Sequence, residues 1–130
     1  ALTFLNRQTS GGGAPCHLSV TADGNYVGAA CYGSGSICVL PIEKGGSLAE
    51  GAALKHEGRG PTARQKAPHA HSITPDPMTG KLYAADLGID KVLVYDIVDG
   101  KPEVNAEFAL KLPAGPGPRH LDFHANGRWL

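Results

Sequence analysis

The sequence predicts an all-β fold made of repeated four-stranded antiparallel units, and three observations carry that prediction. The first is self-similarity: "APCHLSVTADGNYVGAACYGSGSICVLPI" (14–42) lines up with "APHAHSITPDPMTGKLYAADLGIDKVLVYDI" (67–97), and "GPRHLDFHANGRWL" (117–130) begins a third copy. The anchoring prolines Pro15, Pro68 and Pro118 lie 68 − 15 = 53 and 118 − 68 = 50 residues apart, a period of β-propeller size. The second is composition, with 18 glycines and 10 prolines punctuating short apolar runs rich in β-branched residues. The third is the lack of any stretch with helical periodicity.

Each copy reads as the same series of strands. A first strand is expected at 17–21, 70–74 and 120–124, and a second at 26–32, 82–87 and from 128 onward. Between them "TADGN", "TPDPMTGK" and "HANGR" supply the Asp, Asn and Gly chemistry of tight turns. Asp23, Asp76 and Asn126 are therefore read as turn formers. Third strands follow at "SICVLPI" (36–42) and "KVLVYDI" (91–97), the latter apolar and branched as a buried strand should be. Fourth strands are expected at about 52–57 and 104–112. "LTFLNRQT" (2–9) reads as the outer strand of a preceding blade, so the units run at about 14–60 and 67–113, with the start of another at 117–130. Such units bury their faces only against neighbouring blades, which makes those blades the chain's first partners. The longest irregular piece, 45–65, is of a size that tends to carry function.

Charge and cysteine content narrow the function classes. Lys and Arg total 12 and Asp and Glu total 12, so no net basic charge favours nucleic acid or an anionic membrane surface. No apolar run approaches the ~20 residues of a membrane helix, and no signal peptide is visible. The three cysteines, Cys16, Cys31 and Cys38, lack paired metal-site spacing and point to free thiols in a reducing cytoplasm. A Cys31–Cys38 bridge in an exported protein is the alternative.

The runs "GPTARQKAPHAHS", "YAADLGIDKVLVYDI" and "LPAGPGPRHLDFHANGRWL", in this order and spacing, resemble the lactonase-type propellers, the family of cycloisomerase-type 6-phosphogluconolactonases and carboxymuconate-lactonizing enzymes. The resemblance implies a seven-bladed propeller more than twice this length, an active site in a cleft at one end of the central channel, and lactone chemistry without metal or cofactor. The substrate it implies is a lactone or sugar acid, with 6-phosphogluconolactone of the pentose phosphate pathway foremost. A lactonizing cycloisomerase acting on a muconate-type acid and a non-catalytic binding propeller are the alternatives, because fold alone does not decide function. The family pattern continues beyond "GRWL" into an Asn-Glu pair whose Glu is a candidate acid or base.

Counted from the prolines, Cys16, His69 and Arg119 share one repeat position, His17, Ala70 and His120 the next, and Leu18, His71 and Leu121 the third. Alternation along a strand then turns the first and third positions to one side, bringing His69, His71 and Arg119 toward one cleft. Attack on a carbonyl needs a base for water and a donor where oxyanion charge develops. His71, followed by Ser72, is the expected base and Arg119 the expected anion-binding group. His69, Arg64, Gln65 and His120 are expected to contact substrate. His17 and His120 also read as hydrogen-bonding between blades, and His56 and His124 as exposed. A metal held by His69 and His71 is disfavoured, since no third ligand is spaced to join them, and the acidic residues of "DLGID" read as turn residues rather than a calcium loop.

Overall fold

The computed structural model describes residues 1–130 as an all-β chain of two antiparallel sheets packed face to face. The first sheet is β1 (Pro15–Val20), β2 (Tyr26–Cys31), β3 (Ser36–Pro41) and β4 (Ala52–Lys55), hydrogen-bonded in chain order. The second repeats the meander with β5 (Ala70–Pro75), β6 (Leu82–Asp86), β7 (Lys91–Val98) and β8 (Lys101–Val104). Its outer edge is divided, because the two-residue β9 (Leu110–Lys111) takes over the start of β7 while β8 pairs with its end. The single fourth strand expected over 104–112 is therefore two short ones. Asn105 lies at the break, its amide nitrogen donating to the Val94 carbonyl at 2.7 Å and its side chain to Asp96.

The core lies between the sheets. Ala30, Ile37 and Val39 from the first meet Ala70, Ile73, Leu82, Ala84 and Tyr95 from the second in one buried cluster. Each large side chain removed from water here contributes about 1.5–3 kcal/mol, which neither sheet could gain alone. Gly28, in the middle of β2, makes the approach possible: a Cβ there would stand 3.0 Å from Ile73 Cδ1. The two outer ends of the stack remain apolar, with Leu2, Phe4, Leu18 and Val20 exposed at one and Trp129 and Leu130 at the other.

Three expected strands are not formed. Residues 2–9 carry no ladder, and the Asn6 and Gln8 side chains instead bond the Leu48 carbonyl at 2.7 and 3.1 Å. Residues 120–124 and 128–130 form only a nascent hairpin, closed by the His124 amide on the Trp129 carbonyl at 3.0 Å.

The ladders fix the true register of the repeat. His17 pairs with Ala30 and Ser72 with Ala85, an offset of 55, as do Pro15 with Cys31 and Ala70 with Asp86. The first turn closes by Thr21 N to Tyr26 O, the second by Asp76 N to Lys81 O and the third by His124 N to Trp129 O, so the second offset is 124 − 76 = 48. Cys16, His71 and Arg119 are thus structural equivalents, since 16 + 55 = 71 and 71 + 48 = 119. The proline count misplaces them because Pro15 lies within β1 whereas Pro68 precedes β5 by two residues.

Candidate functional site

A β-bulge creates the centre of the site. Ala70 faces Asp86 and Ser72 faces Ala85, which leaves His71 as an extra residue without a ladder partner. The same irregularity falls at Cys16 between Pro15 and His17. Bulges suspend strict alternation and re-aim a side chain: Ala70 and Ile73, three residues apart, both enter the core, while His71 is turned to the half-buried edge. The orientation of His71 therefore comes from the bulge and not from a two-residue period.

Around His71 the chain gathers four other rings and a guanidinium. Arg119 Nη1 lies 3.4 Å from His71 Nε2. The His120 ring stands edge-on to His71 at 4.9 Å, and Tyr32 approaches His71 edge-on at 6.0 Å while stacking on His69 at 4.5 Å. His69 is further held by its Nδ1 on the Tyr32 carbonyl at 2.9 Å. His17 accepts the Ile73 amide across the sheets at 3.2 Å, the inter-blade role expected of it. Tyr32, at the end of β2, was not singled out from the sequence; its partner His69 lies 37 residues away and no local pattern joins them.

Electrostatics favour a neutral imidazole at this place. Burial lowers the pKa of His71, and the neighbouring His120 and Arg119 lower it further. Arginine offers only N–H donors, so the nitrogen facing it, Nε2, presents its lone pair and the ring proton sits on Nδ1. Nδ1 and the Ser72 hydroxyl are both buried without a hydrogen-bond partner in the chain. An acceptor nitrogen beside a fixed cation is what base-assisted attack on a carbonyl requires.

Arg119 also borders a cavity of about 240 Å³ with Arg64, Thr62, Gln65 and Gly117. Arg64 is exposed there. Gln65 has different work from the substrate contact expected of it. It is 2% exposed, donates from Nε2 to Leu87 O and Asp90 Oδ1, and accepts the Thr62 amide at Oε1. Its amide is consumed inside the chain.

His56, expected at the surface, is buried. Its Nδ1 lies 2.6 Å from Asp86 Oδ2 and its Nε2 lies 2.6 Å from the Tyr95 hydroxyl. A carboxylate only accepts, so the proton sits on Nδ1 and Nε2 accepts from the tyrosine. Asp86 Oδ1 takes the amides of His69 and Gly88, both at 2.8 Å. Asp86 and Asp90 in "DLGID" thus do more than turn the chain: each carboxylate ties the β6–β7 turn to segments elsewhere. Asp23, Asp76 and Asn126 do accept turn amides, from Asn25, Met78 and Arg128. All three cysteines are free thiols, and no helix is long and apolar enough to cross a membrane.

Known proteins agree with this architecture. Residues 1–130 match the model of a family described as lactonase, 7-bladed beta-propeller. A 6-phosphogluconolactonase of Bacillus subtilis is 38% identical over 129 residues, covering 98% of this chain and 36% of that protein. The structure of a Pseudomonas aeruginosa periplasmic gluconolactonase superposes with a TM-score of 0.81 at 34% identity, over 93% of this chain and 36% of that one. A Bacteroides fragilis structure gives a TM-score of 0.87 at 33% identity, over 95% and 37% of the two chains. The chain thus spans about a third of the length of the relatives it matches.

Proposed function

The chain belongs to the lactonase family of seven-bladed β-propellers, and from that premise we propose that the protein containing it hydrolyses a sugar lactone, with 6-phosphogluconolactone as the substrate. The observation that carries the reading is the pairing of His71 Nε2 with Arg119 Nη1 at 3.4 Å, at equivalent positions of successive units.

His71, held neutral, takes a proton from water as the water attacks the lactone carbonyl. The charge that develops on the carbonyl oxygen, or the substrate's own anionic group, is met by Arg119. Arg64 faces the same cavity and adds to the positive field for a phosphorylated sugar. His69 and His120 flank the base and shape the approach of the ring. Opening the lactone gives the sugar acid, and the proton held on His71 passes to the departing ring oxygen. The three free thiols support the cytoplasm as the compartment.

The test is hydrolysis of 6-phosphogluconolactone by the full-length protein, with the spontaneous rate subtracted. His71→Ala is expected to lower kcat by roughly 10²–10⁴ at unchanged folded fraction, the range of a lost positioned base. Arg119→Lys keeps the charge but loses the planar fork and is expected to raise KM. A His71→Ala enzyme with the wild-type rate would end the assignment.

A further inference from the structure

We infer that Asp90 is the positioning residue for Arg119, an inference that rests on the role given to Arg119 above. Asp90 closes the β6–β7 turn with a φ of 53°. That is the left-handed region, where a side chain is strained and glycine is not. The equivalent turn of the first sheet uses glycine: 35 + 55 = 90, and Gly35 has a φ of 60°. The turn alone therefore does not call for an aspartate.

What the aspartate adds is a carboxylate, 5% exposed, whose two oxygens are aimed at the chain leading into Arg119. Oδ2 accepts the Gly115 amide at 2.7 Å and Oδ1 accepts the Gly117 amide at 2.9 Å. Oδ1 also takes Gln65 Nε2 at 2.7 Å, and the Asp90 carbonyl takes the Leu112 amide at 3.0 Å. One residue thus holds 112–117 against the turn, and Arg119 follows two residues later. Through Gln65 the same carboxylate fixes the segment that carries Arg64. Asp90 does not itself line the cavity bordered by Arg64 and Arg119, but its carboxylate bonds Gln65, Gly115 and Gly117, which do, so it acts on substrate only through the groups it holds.

The alternative is that Asp90 merely forms a turn. Asparagine and glycine both tolerate the left-handed region, so either would serve as well in that case. Neither keeps the clamp: asparagine replaces one acceptor oxygen with a donor, and glycine removes both.

The experiment uses the full-length protein as wild type, Asp90→Asn, Asp90→Gly, Arg119→Ala and the double variant Asp90→Asn with Arg119→Ala. Hydrolysis of 6-phosphogluconolactone is measured at matched folded fraction, together with amide hydrogen exchange over residues 112–119. Asp90→Asn and Asp90→Gly should each lower kcat/KM by about 10–100-fold, the usual scale for misplacing a group by about an ångström. In the Arg119→Ala background Asp90→Asn should cost clearly less than it does alone, because the larger part of its effect runs through a side chain already gone and only the part through Arg64 remains. Exchange at Gly115 and Gly117 should quicken in both Asp90 variants. Wild-type kcat/KM in Asp90→Asn, or a loss fully additive with Arg119→Ala, overturns the inference. Should the wild type fail to hydrolyse the lactone, the functional reading falls and exchange alone decides: quickened exchange upholds the clamp, and unchanged protection at 115 and 117 overturns it.

Discussion

Asp86→Ala in the full-length protein tests whether the buried Tyr95–His56–Asp86 chain holds the two sheets together. His56 follows β4 of the first sheet, and Asp86 and Tyr95 belong to the second. Asp86 is fully buried and accepts from three donors: His56 Nδ1, His69 N and Gly88 N. Removing one partner of a buried pair costs about 3–5 kcal/mol, and each orphaned amide adds about 1–3 unless water reaches it. A loss of about 5 kcal/mol is expected, a third or more of the ~5–15 kcal/mol that holds a typical domain. Tyr95→Phe deletes only the hydroxyl and should cost about 1–2 kcal/mol. Urea unfolding followed by circular dichroism gives both values, with Glu103→Ala as a control expected within about 0.5 kcal/mol, since that side chain is exposed on the outer strand β8. A loss for Asp86→Ala no larger than for Tyr95→Phe would show that the chain is incidental to the sheet contact.

Two further expectations concern pH and the glycine turn. Because burial, His120 and Arg119 lower the His71 pKa, with His17 adding a smaller effect of the same sign, the acid limb of kcat/KM should inflect below the ordinary imidazole value of ~6.5. Protonation removes the base, so activity falls as pH drops through that point; His120→Asn should move the inflection upward, and an inflection above 6.5 in wild type would contradict the assignment. Gly35→Ala places a Cβ into the Pro68 carbonyl at a φ of 60° and should destabilise the protein by more than ~1 kcal/mol in the same urea assay, where a neutral result would mean the 66–69 segment can move aside.

The strands were legible because their signals are local. "KVLVYDI" and "SICVLPI" are branched, apolar and bounded by turns, and they form β7 and β3. What depended on pairing between distant segments was not legible. His56 reads as a loop residue because its burial is supplied by Asp86, 30 positions later. Gln65 reads as a surface amide because Leu87 and Asp90 lie across the fold from it. The repeat register slipped because a proline is a visible landmark and a β-bulge is not. Strict alternation brings His71 and Arg119 to one cleft on the wrong ground: they lie 3.4 Å apart, but as equivalents in successive units with His71 turned by the bulge.

The corrected register gives a reason for where the site lies. In a chain of stacked repeats, features shared by equivalent positions serve the architecture, and departures mark what one unit does alone. The bulge is shared: it falls at Cys16 and at His71 alike. Its occupant is not, being a thiol in the first unit, an imidazole in the second and, by the same count, a guanidinium in the third. The turn behind it departs in step, with Cys31 and Gly35 in the first unit answered by Asp86 and Asp90 in the second. One of these carboxylates fixes the amide of His69, two residues before the bulge, and the other the amides of Gly115 and Gly117, just ahead of Arg119. Two buried carboxyl groups, one of them at a left-handed backbone, are costly to the fold unless they serve what they hold. On the assignment proposed for His71 and Arg119, the second unit is the one in which the common scaffold is turned to chemistry, with the β6–β7 turn as the support and the bulge of β5 as the place where the proposed base stands.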